Sequence, residues 1–399
     1  MPISRREWLS LVSVGAFAQD MGSLSPLIES LAASRTAADF DASFLHPKWK
    51  SPGEYRKVAL QVALEGLAFQ PKRVPLRPEV VETEDLGDVI REKVLFSTCE
   101  QFRVPAFVHL PKKRSGKLPG MIDLHSHGGW FVFGKEKVSA FGADKMLPML
   151  AKYHQDNYEG RPTATEFARR GYAVLTIDAF PFGERRIIMP DDLEKHGADR
   201  SKYSAEVMQQ LNMRCRTKES TIAKALAYAG TTWPGVVAWD DMRSVDYLAS
   251  RPEVDASRIG CVGVSMGGYR SLMLCGLDSR IRAACITGFM STVRPMIPKH
   301  LDTHSFVHFI PHVHARMDLP DIAALRVPKP LLVQQCRRDG LFPLSGMEES
   351  VAKLEAVYRK AGAPAGAFSS RFYDVPHIFN LEMQNDAFAW FDRELKGVQ

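Results

Sequence analysis

The stretch RIGCVGVSMGGYRS, residues 258–271, decides the fold. It begins as a short apolar run typical of a buried strand and continues into a helical pattern that extends to residue 277. Between the two lies Gly263-x-Ser265-x-Gly267, the pattern of a strained strand-to-helix turn that exposes a serine hydroxyl. The glycines let the strand and the helix approach each other closely. The same pattern also fits a glycine-rich turn used for packing or phosphate binding, so the rest of the chain must decide between the two.

Seven other short apolar runs have strand character, and helical patterns separate the later ones. Because strands that alternate with helices form parallel sheets covered on both faces, the sequence predicts an α/β fold. The expected sheet has eight strands, is mostly parallel, and begins with an antiparallel pair. The seven runs are 89–98, 102–110, 120–125, 172–178, 282–288, 330–335 and 369–374.

Composition excludes several classes of protein. The 399 residues are 45% hydrophobic and 25% charged, which is ordinary for a globular chain. The formal charge of +6 is small, and the basic residues are scattered, so we expect no nucleic-acid partner. No apolar run reaches 18 residues, so we expect no membrane span. The six cysteines show no CxxC or metal-ligand spacing, and no disulfide framework is implied.

Residues 1–18 have the outline of an export signal. A basic head containing Arg5 and Arg6 precedes an apolar run, and Ala16-Phe17-Ala18 has the form of a cleavage site. The head also resembles the twin-arginine export motif, so we expect a periplasmic or secreted protein. The alternative is an amphipathic helix that stays on a cytoplasmic protein. Residues 19–90 are predicted to form a helical extension, and residues 91–399 the main α/β domain.

A serine nucleophile needs a base and an acid that orients the base. In this type of sheet these groups follow the serine in the order acid, then histidine, at the C-terminal ends of strands. Asp339 comes just after the run 330–335, and His377 just after the run 369–374. The sequence therefore predicts that Ser265, Asp339 and His377 form a catalytic triad. Taken singly, each is also compatible with an ordinary surface turn.

Two backbone N–H groups would have to stabilise the developing oxyanion. Met266 follows the serine at the helix start and is predicted to supply one of them. The second is expected from Gly129 in HSHGGWFVFG (125–134), where paired glycines let the backbone approach the substrate. Trp130 and Phe131 follow directly and are predicted to contact the substrate. Burial of these aromatic residues under a lid is the alternative.

Histidines are concentrated in KHLDTHSFVHFIPHVHARMD (299–318). We expect His304 and His308 to line the substrate pocket. A metal site is the weaker alternative, because Pro311 interrupts the helix and no carboxylate or cysteine completes a familiar ligand set. His125 and His127 are also expected to bond to the backbone and not to a metal. The prediction is therefore no metal and no cofactor.

Long ordered blocks of the chain resemble the α/β-hydrolase superfamily, in particular its bacterial branch of acetyl xylan esterases and dienelactone hydrolases. The resemblance covers about residues 90–397 and implies a serine carboxylic-ester hydrolase that acts on acetyl-type esters of small molecules or carbohydrates. It gives Ser265, Asp339 and His377 the triad roles. The blocks are HGG (127–129), DAFPFGER (178–185), WDDMRSVDYLASRPEVDASRIGCVGVSMGG (239–268), DLPDIAALRVPKPLLVQQCRRDGLFP (318–343) and DVPHIFN (374–380).

Two other functions remain open from the sequence. The prolyl-oligopeptidase group of peptidases shares this sheet and triad, but it usually carries a large additional N-terminal domain. A catalytically silent binding protein could also keep the fold. Three insertions, 131–160, 184–232 and 289–320, are expected to form a cap over the site and to shape its specificity. The natural ester and the oligomeric state are not fixed by the sequence.

Overall fold

The computed structural model describes residues 22–34, 40–197, 200–298, 300–301 and 304–397. The proposed export signal, 1–18, lies outside these ranges. The described part contains nine strands in one sheet. They are β1 (Glu79–Asp85), β2 (Val89–Ser97), β3 (Arg103–Pro111), β4 (Leu118–Leu124), β5 (Ala173–Ile177), β6 (Val254–Val264), β7 (Ile281–Thr287), β8 (Leu331–Cys336) and β9 (Phe368–Tyr373).

The strand order across the sheet is β1-β2-β3-β5-β4-β6-β7-β8-β9. The pairs β1/β2, β2/β3 and β3/β5 are antiparallel, and every pair from β5/β4 to β8/β9 is parallel. The mostly parallel sheet and its antiparallel first pair, β2 and β3, are therefore confirmed. The C-terminal ends of β6, β8 and β9 all lie at one edge of the sheet, where the parallel strands deliver their following loops.

The predicted number of strands, eight, is wrong because β1 was missed. Residues 79–85 were assigned to the helical extension, but they pair with β2 at the edge of the sheet. Every residue of β1 except Glu84 is exposed. An edge strand that buries almost no side chain lacks the alternation of apolar and polar residues by which strands are recognised. The sequence EVVETED, rich in acidic residues, hides this strand.

Helices cover both faces of the sheet. The α-helices of the described residues are α1 (Ser25–Ala33), α2 (Pro52–Leu67), α3 (Pro148–Tyr158), α4 (Thr163–Arg169), α5 (Pro190–His196), α6 (Ala205–Thr217), α7 (Glu219–Tyr228), α8 (Trp233–Ser250), α9 (Met266–Leu277), α10 (Pro311–His314), α11 (Leu319–Ala324), α12 (Leu344–Lys360) and α13 (Leu381–Phe391). Short 3-10 turns occur at Gly22–Leu24, Lys135–Val138, Gly183–Arg185, Arg200–Lys202, Arg294–Met296 and Phe306–His308, and a π-helical turn at Asp392–Lys396. Within these ranges, no helix combines the length and apolarity that crossing a membrane requires.

The sheet separates two hydrophobic cores. On one face the core joins α2, α8, α9, α11 and α12 to the strands, and on the other face it joins α3, α4 and α13. The central strands are buried along almost their whole length, as expected for strands covered on both faces. This packing holds the C-terminal edge of the sheet rigid beneath the candidate site.

Helix α2 packs on the main domain through buried polar contacts. The fully buried Tyr55 donates from its hydroxyl to the carbonyl of Asp321 over 2.8 Å. Arg56 donates to the carbonyl of Gly276, the residue before the end of α9, over 2.9 Å. Ser51 caps the start of α2 by accepting from the amide of Glu54. The hydrogen bonds of Tyr55 and Arg56 attach helix α2 directly to α11 and α9.

Asp123 in β4 gives the fold a pH-dependent weakness. The side chain is fully buried, and burial raises its pKa to about 7, above the usual value of 3.8. Between pH 4 and 7 the folded state keeps a proton that the unfolded state has lost, so stability falls as the pH rises. We expect the advantage of Asp123→Asn over the wild type to grow by on the order of 2 kcal/mol in unfolding free energy between pH 5 and pH 8.

Urea unfolding at both pH values measures this difference. The matched control is Asp144→Asn, which changes an exposed carboxylate in the same way and is expected to show no such growth. An equal pH dependence in Asp123→Asn and the wild type would show that Asp123 does not titrate in this range in the folded protein.

Candidate active site

Ser265 occupies the turn that the sequence predicted. It lies between the end of β6 and the start of α9, with backbone angles φ 60° and ψ −127°. A non-glycine residue with positive φ is strained, and such strain is held in place where the surrounding structure requires it. The serine is half-buried and contributes to the wall of a cavity. The strained turn therefore places the hydroxyl group at the edge of the sheet where the C-terminal ends of the parallel strands lie.

Close packing explains the glycines around the serine. A Cβ atom at Gly267 would lie 1.9 Å from the carbonyl oxygen of Leu124. A Cβ at Gly263 would lie 2.5 Å from the backbone of Gly267, and one at Gly268 would lie 2.5 Å from the carbonyl oxygen of Thr287. Any side chain at these positions would push α9 away from β4, β6 and β7. The three glycines are thus needed for the turn itself.

We expect Gly267→Ala to destabilise the protein by about 3 kcal/mol, because backbone must move to admit the methyl group. The midpoint of urea unfolding measures this loss. Gly53→Ala is the matched control, since a Cβ there meets no atom within 4 Å. Equal stability of the two variants would contradict the packing described for this turn.

His377 and Asp339 form a hydrogen-bonded pair. The distance between His377 Nδ1 and Asp339 Oδ2 is 2.6 Å, and the carboxylate is completely buried. The second oxygen, Oδ1, accepts a hydrogen bond from the amide of Leu341 over 2.8 Å, which fixes the orientation of the carboxylate. The Nδ1–H group donates to Asp339, so Nε2 carries the lone pair. Among the described residues, that Nε2 atom has no hydrogen-bond partner.

Ser265 and His377 line one cavity of about 560 Å³, as the predicted triad requires. No hydrogen bond joins their side chains in this structure, and such bonds are often long before substrate binds. One part of the wall is apolar and includes Val264, Phe289 and Phe342. Another part is polar and comes from the predicted cap insertions; it includes Asn157, Arg216, Glu219, Ser220 and Ser305.

The N–H groups of the two predicted oxyanion donors, Met266 and Gly129, differ in their hydrogen bonding. Met266 is the first residue of α9, and the first N–H groups of a helix have no partner within the helix. Gly129 also lines the cavity, with φ 71°, but its N–H donates to His127 Nδ1 over 3.0 Å. The amide of Gly129 must therefore exchange this bond to reach an oxyanion.

His127 connects the glycine loop to the cap. Its Nδ1 accepts from Gly129, so its Nε2–H donates to Glu219 Oε1 at 3.1 Å, and Ser305 donates to the same oxygen over 2.7 Å. Burial lowers the pKa of His127, which favours this neutral form. Burial, the largest single effect, raises the pKa of Glu219, but the hydrogen bonds from His127 and Ser305 and the electrostatic effects of His127 and Arg216 together outweigh it, so the net pKa is lowered. His125 likewise uses both ring nitrogens, on Ser126 O and the amide of Ala179.

The structure separates the predicted substrate contacts into two groups. His304 and His308 line the cavity, with ring centroids 4.9 Å apart. Phe131 is wrong as a substrate contact, because it is fully buried and its ring stacks on Phe182 at 4.7 Å. Trp130 is half-buried, packs against the hydrophobic clusters beside the cap and is not part of the cavity wall. For Phe131 the structure therefore agrees with the alternative interpretation, burial, and not with a position in the cavity wall.

Carboxylates, not histidines, form the one described group with metal-like convergence. Oxygens of Glu136, Asp178 and Glu184 lie within 4.8 Å of one another. Lys135 Nζ lies 2.8 Å from Asp178 Oδ2 and 2.6 Å from Glu184 Oε1, so the ammonium group occupies the centre of this cluster. Asp178 directly follows β5, and the cluster therefore ties the segment after the glycine loop to the sheet.

Comparison with known proteins agrees with the geometry. Three features of the structure occur together in one known fold. They are the strand order of the sheet, the strained turn at the serine, and the His377–Asp339 pair at the same edge of the sheet. The chain has the α/β-hydrolase fold. Among solved structures, a "putative acetyl xylan esterase" from Bacteroides fragilis matches with a TM-score of 0.65 and 17% identity over 91% of this chain and 85% of that chain. A glucuronoyl esterase from Solibacter usitatus matches with a TM-score of 0.58 and 14% identity over 90% and 98%.

Sequence comparison finds a curated relative of this protein. "Putative hydrolase YtaP" of Bacillus subtilis (strain 168) is 28% identical over 296 residues, which is 73% of this chain and 84% of that protein. No protein-family model matches the chain. Several residues of the cavity wall were not found from sequence, among them Arg216, Glu219 and Ser305. They lie in the insertions, where no repeating motif marks a residue as part of a cavity.

Proposed function

We propose that this α/β-hydrolase is a serine carboxylic-ester hydrolase. The observation that carries the proposal is the His377–Asp339 pair, which leaves Nε2 of the histidine free in the cavity that Ser265 lines. A histidine Nε2 that carries a lone pair, in the same cavity as the hydroxyl of a strained serine, is what activation of that hydroxyl needs. The similarity to solved esterases supports carboxylic esters as the substrate class.

The proposed reaction proceeds through an acyl-enzyme. His377 Nε2 takes the proton of Ser265 as Oγ attacks the ester carbonyl, and Asp339 stabilises the imidazolium. The carbonyl π electrons move to oxygen, where the amides of Met266 and Gly129 stabilise the oxyanion. The C–O bond to the alcohol then breaks and His377 returns the proton to the leaving alcohol. Water attacks the acyl-enzyme by the same route and regenerates Ser265.

We infer that the preferred substrates are short-acyl esters of the acetyl type, on a small molecule or a carbohydrate. The apolar side of the cavity is closed by packed rings, with Phe289 and Phe342 5.1 Å apart and His304 5.0 Å from Phe342. We infer that these rings limit the length of the acyl chain that the cavity admits. The polar wall of Asn157, Ser220 and neighbouring residues offers hydrogen-bonding groups suited to a hydroxylated alcohol. The named activity of the Bacteroides fragilis structure supports the same substrate class.

Hydrolysis of p-nitrophenyl esters from acetate to octanoate tests this proposal. We expect kcat/KM to be highest for acetate and to fall by at least about 10-fold by octanoate, since even one methylene that the pocket cannot admit costs about 1–3 kcal/mol. The p-nitroanilide matched to acetate is expected to react far more slowly. Faster cleavage of peptide anilides would favour the peptidase alternative. Absence of both activities, with no fluorophosphonate labelling, would favour a binding protein.

Export remains a separate proposal. We propose that residues 1–18 direct the protein to the periplasm or beyond, on the basis of Arg5, Arg6 and the Ala16-Phe17-Ala18 site. N-terminal sequencing of the protein recovered from cell fractions tests it: a mature chain that begins after Ala18 is expected outside the cytoplasm. An intact Met1 in the cytoplasmic fraction would contradict it.

A further inference from the structure

Lys137 is a fully buried lysine that the proposed reaction does not use. Two residues earlier, Lys135 is buried among three carboxylates. Lys137, by contrast, has no carboxylate within 4 Å among the described residues. Burial lowers its pKa well below the usual range. Placing an amine in such a site is unfavourable unless its hydrogen bonds are satisfied, so the partners it has are informative.

Its partners are two consecutive carbonyl groups of the glycine loop. Lys137 Nζ donates to Ser126 O over 2.9 Å and to His127 O over 2.8 Å. The rings of Phe182 and Tyr153 lie below the same nitrogen, at 4.6 and 5.6 Å from their centroids. An ammonium has three N–H groups and a neutral amine has two, so both carbonyls are served in either protonation state. The side chain thus fixes the loop from behind.

Fixing these carbonyls also fixes the amides. In a trans peptide the C=O and N–H bonds point in opposite directions. The carbonyls of Ser126 and His127 point to Lys137, which is not in the cavity wall. The N–H groups of the same two peptide units, which belong to His127 and Gly128, therefore point the other way. Residues 126–129 line the cavity on that side, together with Ser265.

Tyr153 fixes the same loop from a second direction. A Cβ at Gly128 would lie 2.4 Å from the Tyr153 hydroxyl, so the glycine allows the ring to pack directly on the backbone. The Tyr153 hydroxyl also pairs with Ser126 Oγ. Gly129, by comparison, has open space around its Cβ position, and its amide is bonded to His127. The peptides before Gly129 are therefore the rigid part of the loop.

We infer that Lys137 is a positioning residue of the oxyanion hole, holding the 126–128 peptides so that their amides face the reacting carbonyl. This inference rests on the proposed ester hydrolysis. It adds the amides of His127 and Gly128 to that of Met266 as donors already oriented toward the reacting carbonyl. The amide of Gly129, by contrast, must first break its hydrogen bond to His127 Nδ1. Preorganised donors of this kind stabilise the transition state more than the bound ester, because they meet charge that develops only during the reaction.

Lys137→Met tests the inference, since methionine has a similar length and cannot donate. We expect kcat for the acetate ester to fall about 100-fold, the effect of losing one oxyanion donor, with KM within about threefold of the wild type. Lys353→Met is the control: this buried lysine bonds Asp321 Oδ2 over 2.6 Å, away from the cavity. Its loss is expected to lower stability while kcat per folded molecule stays unchanged.

A pair of inhibitors separates positioning from general loosening of the fold. Ser265 Oγ adds to the carbonyl carbon of a trifluoromethyl ketone. The serine proton passes to His377, and the carbonyl oxygen becomes an oxyanion. The methyl ketone of the same chain binds mainly without this addition. In Lys137→Met the affinity for the trifluoromethyl ketone should fall with kcat, about 100-fold, and that for the methyl ketone should not change. Equal losses for both ketones, or no loss of kcat, would overturn the role of Lys137.

Two further measurements keep the inference testable if Lys137→Met does not fold. Lys137→Gln retains an amide donor and is expected to keep kcat above that of Lys137→Met, or to fold where it does not. A crystal structure of the wild type with a phosphonate on Ser265 is expected to show the phosphoryl oxygen bonded to the amide of His127 or Gly128. A phosphoryl oxygen turned away from residues 126–128 would refute the inference. An inactive wild type would refute the proposed function itself.

Discussion

Ser265→Ala is expected to lower kcat for p-nitrophenyl acetate by about 10⁶-fold. The residues of a triad act as a unit, so the loss of the nucleophile removes the contribution of all three. The change is small in volume and leaves the glycines of the turn in place, so the fold should persist. Alanine also tolerates the positive φ of this position no better than serine, so strain does not differ greatly between the two. Initial rates with active-site titration by a fluorophosphonate measure both turnover and labelling.

Ser220→Ala is the matched control for this result. Ser220 lines the same cavity but lies in α7, in the polar wall, so we expect its loss to change kcat by less than about 10-fold. Labelling should disappear only in Ser265→Ala. If Ser265→Ala kept most of the activity, the strained turn would be structural, and the cavity histidines His304 and His308 would be the next residues to test.

The order of secondary structure could be predicted because each strand carries its own signal. The eight predicted strands correspond to β2–β9, and each strand from β3 to β8 contains a buried run of several residues. The missed strand, β1, is exposed along most of its length and is stabilised by pairing with β2. Backbone pairing at a sheet edge depends on the neighbouring strand, not on the side chains of the segment itself, so a local pattern does not reveal it.

The positions of the three proposed triad residues could be predicted because the topology fixes where such residues must occur. Ser265, Asp339 and His377 each follow a strand of a parallel sheet, and the C-terminal ends of such strands meet at one edge. Two buried glutamines precede Asp339 at the end of β8: Gln334 donates to the carbonyl of Met383, and Gln335 to that of Met290. These side-chain amides satisfy neighbouring backbone groups at the end of β8.

The rest of the site depends on contacts between segments far apart in the chain. His127 and Glu219 are 92 residues apart, yet they form one hydrogen bond across the cavity. The engagement of the Gly129 amide by His127 depends on a side-chain orientation that spacing does not encode. Phe131 was assigned to the pocket because its neighbours are glycines, but the ring turns inward onto Phe182. The sequence predicted the proposed reacting groups, whereas the packing of the insertions determines what surrounds them.

Asp339→Asn is expected to lower kcat by about 10⁴-fold, although it alters only one polar group. Leu341 donates its amide hydrogen to Asp339 Oδ1, and an asparagine must keep its oxygen at that position. Its NH₂ group then takes the place of Oδ2, 2.6 Å from His377 Nδ1. Two donors cannot face each other, so Nδ1 becomes an acceptor and the proton moves to Nε2. The base that should take the serine proton is then already protonated.

The loss should lie in kcat, with KM nearly unchanged, since Asp339 is not part of the cavity wall. Asp374→Asn is the control: this exposed carboxylate, three residues before His377, pairs only with Arg338 at the surface, so activity is expected to stay within about twofold. A ¹⁵N spectrum of the His377 ring gives an independent readout, with the proton on Nδ1 in the wild type and on Nε2 in Asp339→Asn. A fall in kcat of less than 10-fold with an unchanged tautomer would mean that another group orients His377.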